Sequence, residues 1–385
     1  MYLDNAATSF PRPDCVHTAV AEWMRSDASA GRGSHAGSMA ASSLLQQCRT
    51  QVARLLDVPS PSQVVFTSNC TDSLNTVLLG LLKPGEHVLA TMLDHNSVLR
   101  PLEFLRQQRN VHPHIVPFDP VSGLLDADAF QQVLRDFPIR LTILNHASNV
   151  TGRVQDVQLL TSIAHKYGSL VLLDAAQTAG HHDCHMNFLG VDFLATAGHK
   201  GIPGPLGTGL LCFRTGADSQ VLPLKFGGTG TASESPQQPE STPEKFESGN
   251  LNVPGIAGLN AAVNWVQSET PARIQQHISG LTELLLNGLS TVPGLRLLTP
   301  MTPRHLCGIV SFTIAGIDCR EVATILDQSF DIQCRAGLHC APLAHQGLGT
   351  LQAGGAVRFS PGPFNTTADI QNAIEAVSAI ASEVR

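Results

Sequence analysis

A carboxylate and a lysine, each delivered by the end of a short apolar run, are the side chains of this sequence best placed to do chemistry. In LVLLDAAQTAGHH the run Leu170 to Leu173 leads into Asp174 and then Gln177, and in VDFLATAGHKG the run Val191 to Ala195 leads into Gly198-His199-Lys200. Uninterrupted apolar residues followed by small ones suit parallel strands covered on both faces. Two such strand ends bring the carboxylate and the amine to one sheet edge, where open α/β sheets bind ligands. The pair suits pyridoxal phosphate: the lysine bonds the cofactor's aldehyde carbon, and the carboxylate keeps the pyridinium nitrogen protonated so that the ring becomes an electron sink. For either residue alone, a structural Asp and a solvated Lys are the plain alternative.

The surrounding chain has to position these groups. Strands are expected at 63–67, 87–92, 114–117, 141–145 and 209–213, and helices at 13–26, 39–56, from the SNCTDSLN stretch to 82, and at 99–108, 126–135 and 156–167. Repeated strand–helix units of this kind predict a mainly parallel sheet with helices on both faces. Helices are expected again at 253–267, 271–289 and 367–383, with strands near 309–314 and 331–334, which makes a smaller α/β domain. The division expected is 13–259 for the large domain, and 1–12 with 260–385 for the small one, the arm MYLDNAATSFPRP joining the latter.

Bulk properties narrow the classes of function. The chain has 385 residues, 43% of them apolar and 14% charged, with a net charge of −7. That length allows a sizeable core. A mildly acidic chain with scattered Lys and Arg argues against nucleic acid or anionic membrane as the main partner. No apolar run approaches the roughly 20 residues of a membrane span, and the first residues lack the pattern of a signal peptide. A cytoplasmic protein is expected. Nine cysteines without a C-x-x-C pair are neither a disulfide framework nor a zinc ribbon. In HHDCH (His181 to His185), ligands at successive extended positions would point to opposite sides, which argues against a metal site there.

Other residues are candidates for binding. Backbone N–H groups where SNCTDSLN opens its helix, with the Thr71 hydroxyl, form an anion site, although plain capping explains Ser68 to Asp72 as well. His95 stands at a strand end, where a hydrogen-bonded structural role is the plain reading. The polar, Pro-rich stretch from Phe226 to Gly249 reads as a linker by composition, yet a loop this long in a compact chain is often functional.

The words D-x-x-Q and G-H-K at this spacing resemble the class V aminotransferase group of fold-type I pyridoxal-phosphate enzymes, and within it the cysteine desulfurases and selenocysteine lyases. Pattern words cover nearly the whole chain, from Tyr2 to Pro361. The stretch Cys334 to Pro342 resembles the R-x-G-H-H-C-A loop of the sulfur-mobilisation (Suf) type enzymes, and Cys340 falls on their persulfide-forming cysteine. Arg335 and His339 nearby are expected to favour its thiolate. The plain alternative is a buried cysteine without chemistry.

This resemblance implies a large domain with a seven-stranded, mainly parallel sheet, and a small domain carrying the cysteine loop. It implies that Lys200 holds the cofactor against Asp174, that Cys70, Thr71 and His199 line its site, and that Thr71 contacts the phosphate. His95 is expected to stack on the ring and relay protons, Gln177 and Asn149 to face its phenolic oxygen, and Arg358 in AVRFSPGPFNT to clamp the substrate carboxylate with Asn149 and Arg335 close by. The GGTGT segment with Thr229, and more weakly Arg32 and His35, are expected to act on a partner subunit's site, which implies a homodimer with composite sites.

The activity implied is L-cysteine to L-alanine, with sulfur left on Cys340 for an acceptor protein. Selenocysteine lysis, cysteine-sulfinate desulfination, another class V reaction and a non-catalytic sulfur-transfer scaffold are the alternatives. Two positions depart from the pattern: Leu338 replaces the first of two histidines, and Ala197 stands where a Ser or Thr would supply a phosphate hydroxyl.

Overall fold

The structure, a computed structural model, describes residues 1–26, 33, 35–231 and 233–384; Arg32 lies outside the described residues. Seven strands build the larger sheet: β1 (Val64–Thr67), β2 (His87–Thr91), β3 (His112–Val116), β4 (Ile139–Asn145), β5 (Leu170–Asp174), β6 (Phe193–Ala197) and β7 (Gly209–Phe213). Their order is β1-β7-β6-β5-β4-β2-β3. Only β7 runs against its neighbours; β2 to β6 pair in parallel. The short link from Lys200 to Gly209 carries no crossover helix, so β7 must return antiparallel.

Burial explains the apolar runs. Every residue of β6 and β7 is buried, as are the last four of β5. One face packs on the helices Ala36–Leu56, Val157–Lys166 and Val253–Glu269. The other packs on Cys70–Leu81 and Asn96–Arg109. A side chain such as Leu172 or Phe193, fully excluded from water, contributes about 1.5–3 kcal/mol of apolar burial. Asn145 pairs with Asp174 and Asp174 with Ala195 across the three central strands. Their carboxyl ends therefore open on one edge.

A second, antiparallel sheet has the order β10-β11-β9-β8, from β8 (Leu295–Leu297), β9 (Val310–Ile314), β10 (Arg335–Gly337) and β11 (Ala356–Phe359). The helices Pro271–Ser290, Cys319–Phe330 and Thr367–Glu383 cover it around Leu285, Leu326, Phe359 and Val377. The N-terminal arm extends this sheet through bridges from Tyr2 to Gln333 and from Asp4 to Ser360.

The strand expected at 331–334 is instead Arg335–Gly337. Asp331 adopts φ 53° as the left-handed cap of the preceding helix, so the chain turns before it can extend. The helices Cys319–Phe330, Pro342–Gly347 and Met186–Leu189 were not among the expectations. The stretch from Phe226 to Gly249 is tied to β1 by the buried pair Arg49–Glu247, whose Glu247 Oε1 also accepts the Phe66 N–H at 2.7 Å. Among the described residues no helix is long and apolar enough to cross a membrane.

Candidate active site

The carboxyl ends of β4, β5 and β6 open on a cavity lined by Lys200, Asp174, Gln177, His199, Asn149 and His95, with Cys70 and Thr71 from the opposing helix start. Asp174 ends β5, and its Oδ1 accepts the Ala176 N–H at 3.0 Å and the Cys70 thiol at 3.5 Å. Desolvation raises the Cys70 thiol well above its usual range, so it serves as a donor to that carboxylate. Burial lowers the Lys200 ammonium, with the Arg358 and Arg335 cations acting the same way against Cys70 and Asp174. A lowered pKa favours the free amine, the form that attacks a carbonyl carbon.

The turn that presents Lys200 is held from two sides. A Cβ on Gly201 would lie 2.4 Å from the Ala179 oxygen, so only glycine allows this approach to the segment after β5. On the other side the N-terminal arm grips the turn: the His199 carbonyl accepts the Ser9 N–H at 2.9 Å and the Thr8 hydroxyl at 3.1 Å. The Ser9 hydroxyl donates to the Lys200 carbonyl. The Gln177 amide donates to the Ala6 carbonyl at 3.0 Å. Burial, with Lys200 and Arg12 nearby, lowers His199 to about 4 and keeps it neutral.

His95 caps the helix Asn96–Arg109. Its Nδ1 accepts the Ser97 N–H at 3.0 Å and meets the Ser97 hydroxyl at 2.8 Å. An Nδ1 that accepts leaves the proton on Nε2. Burial lowers this imidazole to about 4, so it is neutral at physiological pH. Ser97 also meets the Thr71 hydroxyl at 2.7 Å, and Ala197 lines the same cavity without a hydroxyl. Asn69 caps the helix Cys70–Leu81 by accepting the Asp72 N–H at 2.9 Å. Capping and a cavity-facing helix start therefore coexist there.

Arg358, on β11, is buried; its Nη2 lies 2.8 Å from Asp4 Oδ1, its Nη1 donates to the Asn149 carbonyl at 3.2 Å, and its Nε has no partner. Arg335 faces Arg358 across the β10–β11 ladder and is exposed. Asn149 donates to the His339 carbonyl at 2.6 Å. Thr229 lies in an exposed loop away from this cavity, bonded to Thr231 at 3.1 Å, and His35 caps the helix Ala36–Leu56.

Cys340 follows β10. Of the nine cysteines, all among the described residues, it and Cys15 are exposed. It lines an open groove with Arg100, Pro101 and Phe104, and that groove shares Thr71, His95 and Ser97 with the Lys200 cavity. His339, expected with Arg335 to favour the Cys340 thiolate, does not carry a positive charge with which to do so. Burial, followed by the Arg358 cation and His345, drives its imidazole down to about 2, so it is neutral.

Sequence reasoning missed several members of the site. Asp4 was read only as part of the arm. Asp94, directly before His95, is fully buried and raised by burial to about 7, with Oδ1 unpartnered. Asn145, which ends β4, was read only as a strand end. The buried Asn145 Oδ1 and Asn149 Oδ1 have no protein partner, which marks polar contacts left for a ligand. A lysine amine, a carboxylate beside it and a helix start carrying Thr71 fit the aldehyde, ring nitrogen and phosphate of pyridoxal phosphate.

Comparison with known proteins gives a consistent picture. The family model for aminotransferase class V matches residues 1–373. A probable cysteine desulfurase of Methanothermobacter thermautotrophicus is 36% identical over 99% of this chain and 94% of its own length. One from Pseudomonas putida is 31% identical over 98% and 92%. The apo structure of a cysteine desulfurase from Thermococcus onnurineus superposes with a TM-score of 0.92 at 30% identity, covering 100% of this chain and 95% of the other. The Escherichia coli cysteine desulfurase CsdA, crystallised in an S-sulfonic acid form, gives 0.85 at 28% identity, covering 100% and 94%.

Proposed function

The chain belongs to the class V aminotransferase family, and from that premise we propose that it is a pyridoxal-phosphate-dependent cysteine desulfurase that leaves sulfur on Cys340 and releases L-alanine. The observation that carries this reading is the exposed Cys340 on a groove continuous with the Lys200 cavity through Thr71, His95 and Ser97. When bound there, pyridoxal phosphate supplies an electron sink for the carbanion that forms at the substrate's Cα.

The residues then divide the work. Lys200, Asp174, Thr71, Cys70 and His199, with Gln177 and Asn149, line the cavity and would hold the cofactor there. Arg358, with Asn149 and Arg335 near it, orients the substrate carboxylate; fork geometry suits that task. Lys200 Nζ takes the Cα proton. His95, neutral with its proton on Nε2, lines the same cavity and would pass protons there. Cys340 Sγ attacks the substrate sulfur, so that an S–S bond forms as the Cβ–S bond breaks and Cβ, keeping the electron pair, is protonated.

The proposal extends to assembly. Thr229 lies outside its own chain's cavity, and Leu206, Leu222 and Phe226 are exposed apolar side chains at 61%, 68% and 73%. A homodimer in which this region covers the partner's site accounts for both. Residues 13–259 then form the cofactor domain, and 1–12 with 260–385 the domain that carries Cys340 and passes its sulfur to an acceptor protein.

The test is alanine release from L-cysteine and from L-selenocysteine, in wild type and Cys340→Ser. Loss of the cysteine reaction and of persulfide, with cofactor still bound, supports the proposal. Unchanged alanine release from cysteine overturns it. Activity on selenocysteine alone, in both proteins, points to a lyase.

A further inference from the structure

Two successive residues, His339 at φ 50° and Cys340 at φ 56°, occupy the left-handed region that side chains with a Cβ disfavour. Such a pair persists only where its surroundings over-determine it. Three contacts hold its backbone: Asn149 Nδ2 donates to the His339 carbonyl at 2.6 Å, the Asn96 N–H donates to the Cys340 carbonyl at 2.7 Å, and the Ala341 N–H returns to the Leu338 carbonyl at 2.9 Å. A fourth runs through side chains. His339 Nδ1 meets His345 Nε2 at 3.3 Å, and His345 Nδ1 meets Thr350 Oγ1 at 2.8 Å. His339, His345 and Thr350 are 5%, 0% and 3% exposed.

We propose that His345, braced by Thr350, is a positioning residue for sulfur transfer: its contact with His339 keeps that side chain inside and so turns the Cys340 thiol out into the groove. This rests on the reading of Cys340 as the sulfur acceptor. The departure at Leu338 gives the chain its own version of an imidazole pair, the second ring coming from the helix Pro342–Gly347 instead of the adjacent position. Packing alone does not require histidine at 345, since an apolar ring would fill the space. A bridge between His339 Nδ1 and Thr350 Oγ1 requires two polar atoms on opposite edges of one side chain. Burial lowers His345 to about 4 and His339 to about 2, so the bridge is between neutral rings sharing one N–H.

The experiment uses the holoenzyme with His345→Phe, His345→Gln and Thr350→Val. Two rates are read: iodoacetamide labelling of Cys340, with exposed Cys15 as internal reference, and persulfide formed in a single turnover with L-cysteine. Cofactor absorbance and the melting transition show that each variant is folded and loaded. His345→Phe lowers both Cys340 rates about tenfold, a part of the roughly hundredfold cost of a 1 Å misplacement, without changing Cys15 labelling. His345→Gln, whose amide offers two polar atoms at similar separation, restores them to within about threefold, and Thr350→Val falls between. Wild-type Cys340 rates in folded His345→Phe overturn the proposal, as does a glutamine variant no better than phenylalanine. If His345→Phe does not fold, wild-type rates in Thr350→Val overturn it instead. The labelling ratio reports the placement of Cys340 whether or not the protein desulfurates cysteine, so failure of the functional reading is seen separately, in the Cys340→Ser comparison.

Discussion

Asp4 and Arg358 form an ion pair at the junction of the two sheets, with Nη2 2.8 Å from Oδ1 and the guanidinium 3% exposed. A substrate carboxylate bound by Arg358 would therefore share its cation with a resident anion. Asp4→Asn removes that competition and lowers the KM for L-cysteine about tenfold, equivalent to about 1.4 kcal/mol, while lowering the ligand-free melting temperature. Arg358→Ala weakens binding by about 2–5 kcal/mol, as for other truncated buried charge pairs. Steady-state kinetics checks both, and an unchanged KM in Asp4→Asn refutes the shared-cation argument.

Lys200 is expected to be the cofactor lysine. Borohydride reduction of the purified yellow protein, followed by peptide mass spectrometry, places the label on Lys200. A label on Lys166, Lys225 or another lysine removes it from that role.

Among the contacts that hold the polar segment after β7, such as Thr242 to Asp218 at 2.6 Å and Phe246 stacked on Phe213, one is a buried ion pair. Arg49 donates to Glu247 Oε1 at 2.9 Å, and its guanidinium lies 4.4 Å from the centre of the Phe66 ring. Glu247→Ala leaves an unpaired buried cation and costs about 3–5 kcal/mol in urea unfolding. A cost below about 1 kcal/mol would show that water reaches the pair.

Stability should fall as pH falls from neutral. Burial lowers His146, His181 and His345 from 6.5 to about 4. Between those values the unfolded chain binds protons that the folded chain refuses, so each histidine removes at most about 1.4 kcal/mol per pH unit in that window and nothing above it. Asp94, raised to about 7, works in the opposite direction: its contribution is present at acid pH and lost as pH rises through 7. Burial also raises the Glu247 carboxyl, which acts in the same direction as Asp94, and the several histidines outweigh these two carboxyls. Melting temperatures that stay level from pH 7 to 4.5 would contradict this balance.

The parts of the site visible in the sequence were those carried by local pattern. Leu170–Asp174 is an apolar run ended by its functional residue, and Gly198-His199-Lys200 follows another. A parallel sheet then brings such ends together by topology alone. What stayed hidden was long-range. Nothing near Asp4 announces a partner at Arg358, and nothing near Ala6 announces Gln177. The strand after Asp331 was displaced because a left-handed cap residue looks, by composition, like the start of an extended run. His345 carries no signal of its own, since it lies on a helix too short to show periodicity.

The N-terminal arm changes what a survey of substitutions would show. Within six residues, Asp4 holds Arg358, Ala6 receives Gln177, and Thr8 and Ser9 fix the turn that carries Lys200. None of these arm side chains needs to take part in bond making. In a mutational scan scored on turnover, Thr8 and Ser9 should nonetheless be as intolerant as the catalytic strands, and helices of equal burial far from the cavity should be more permissive. Damage would also sort by residue: changes at Asp4 would act on substrate binding, those at Thr8 and Ser9 on cofactor retention. A short peripheral segment would thus set both affinities without touching the chemistry.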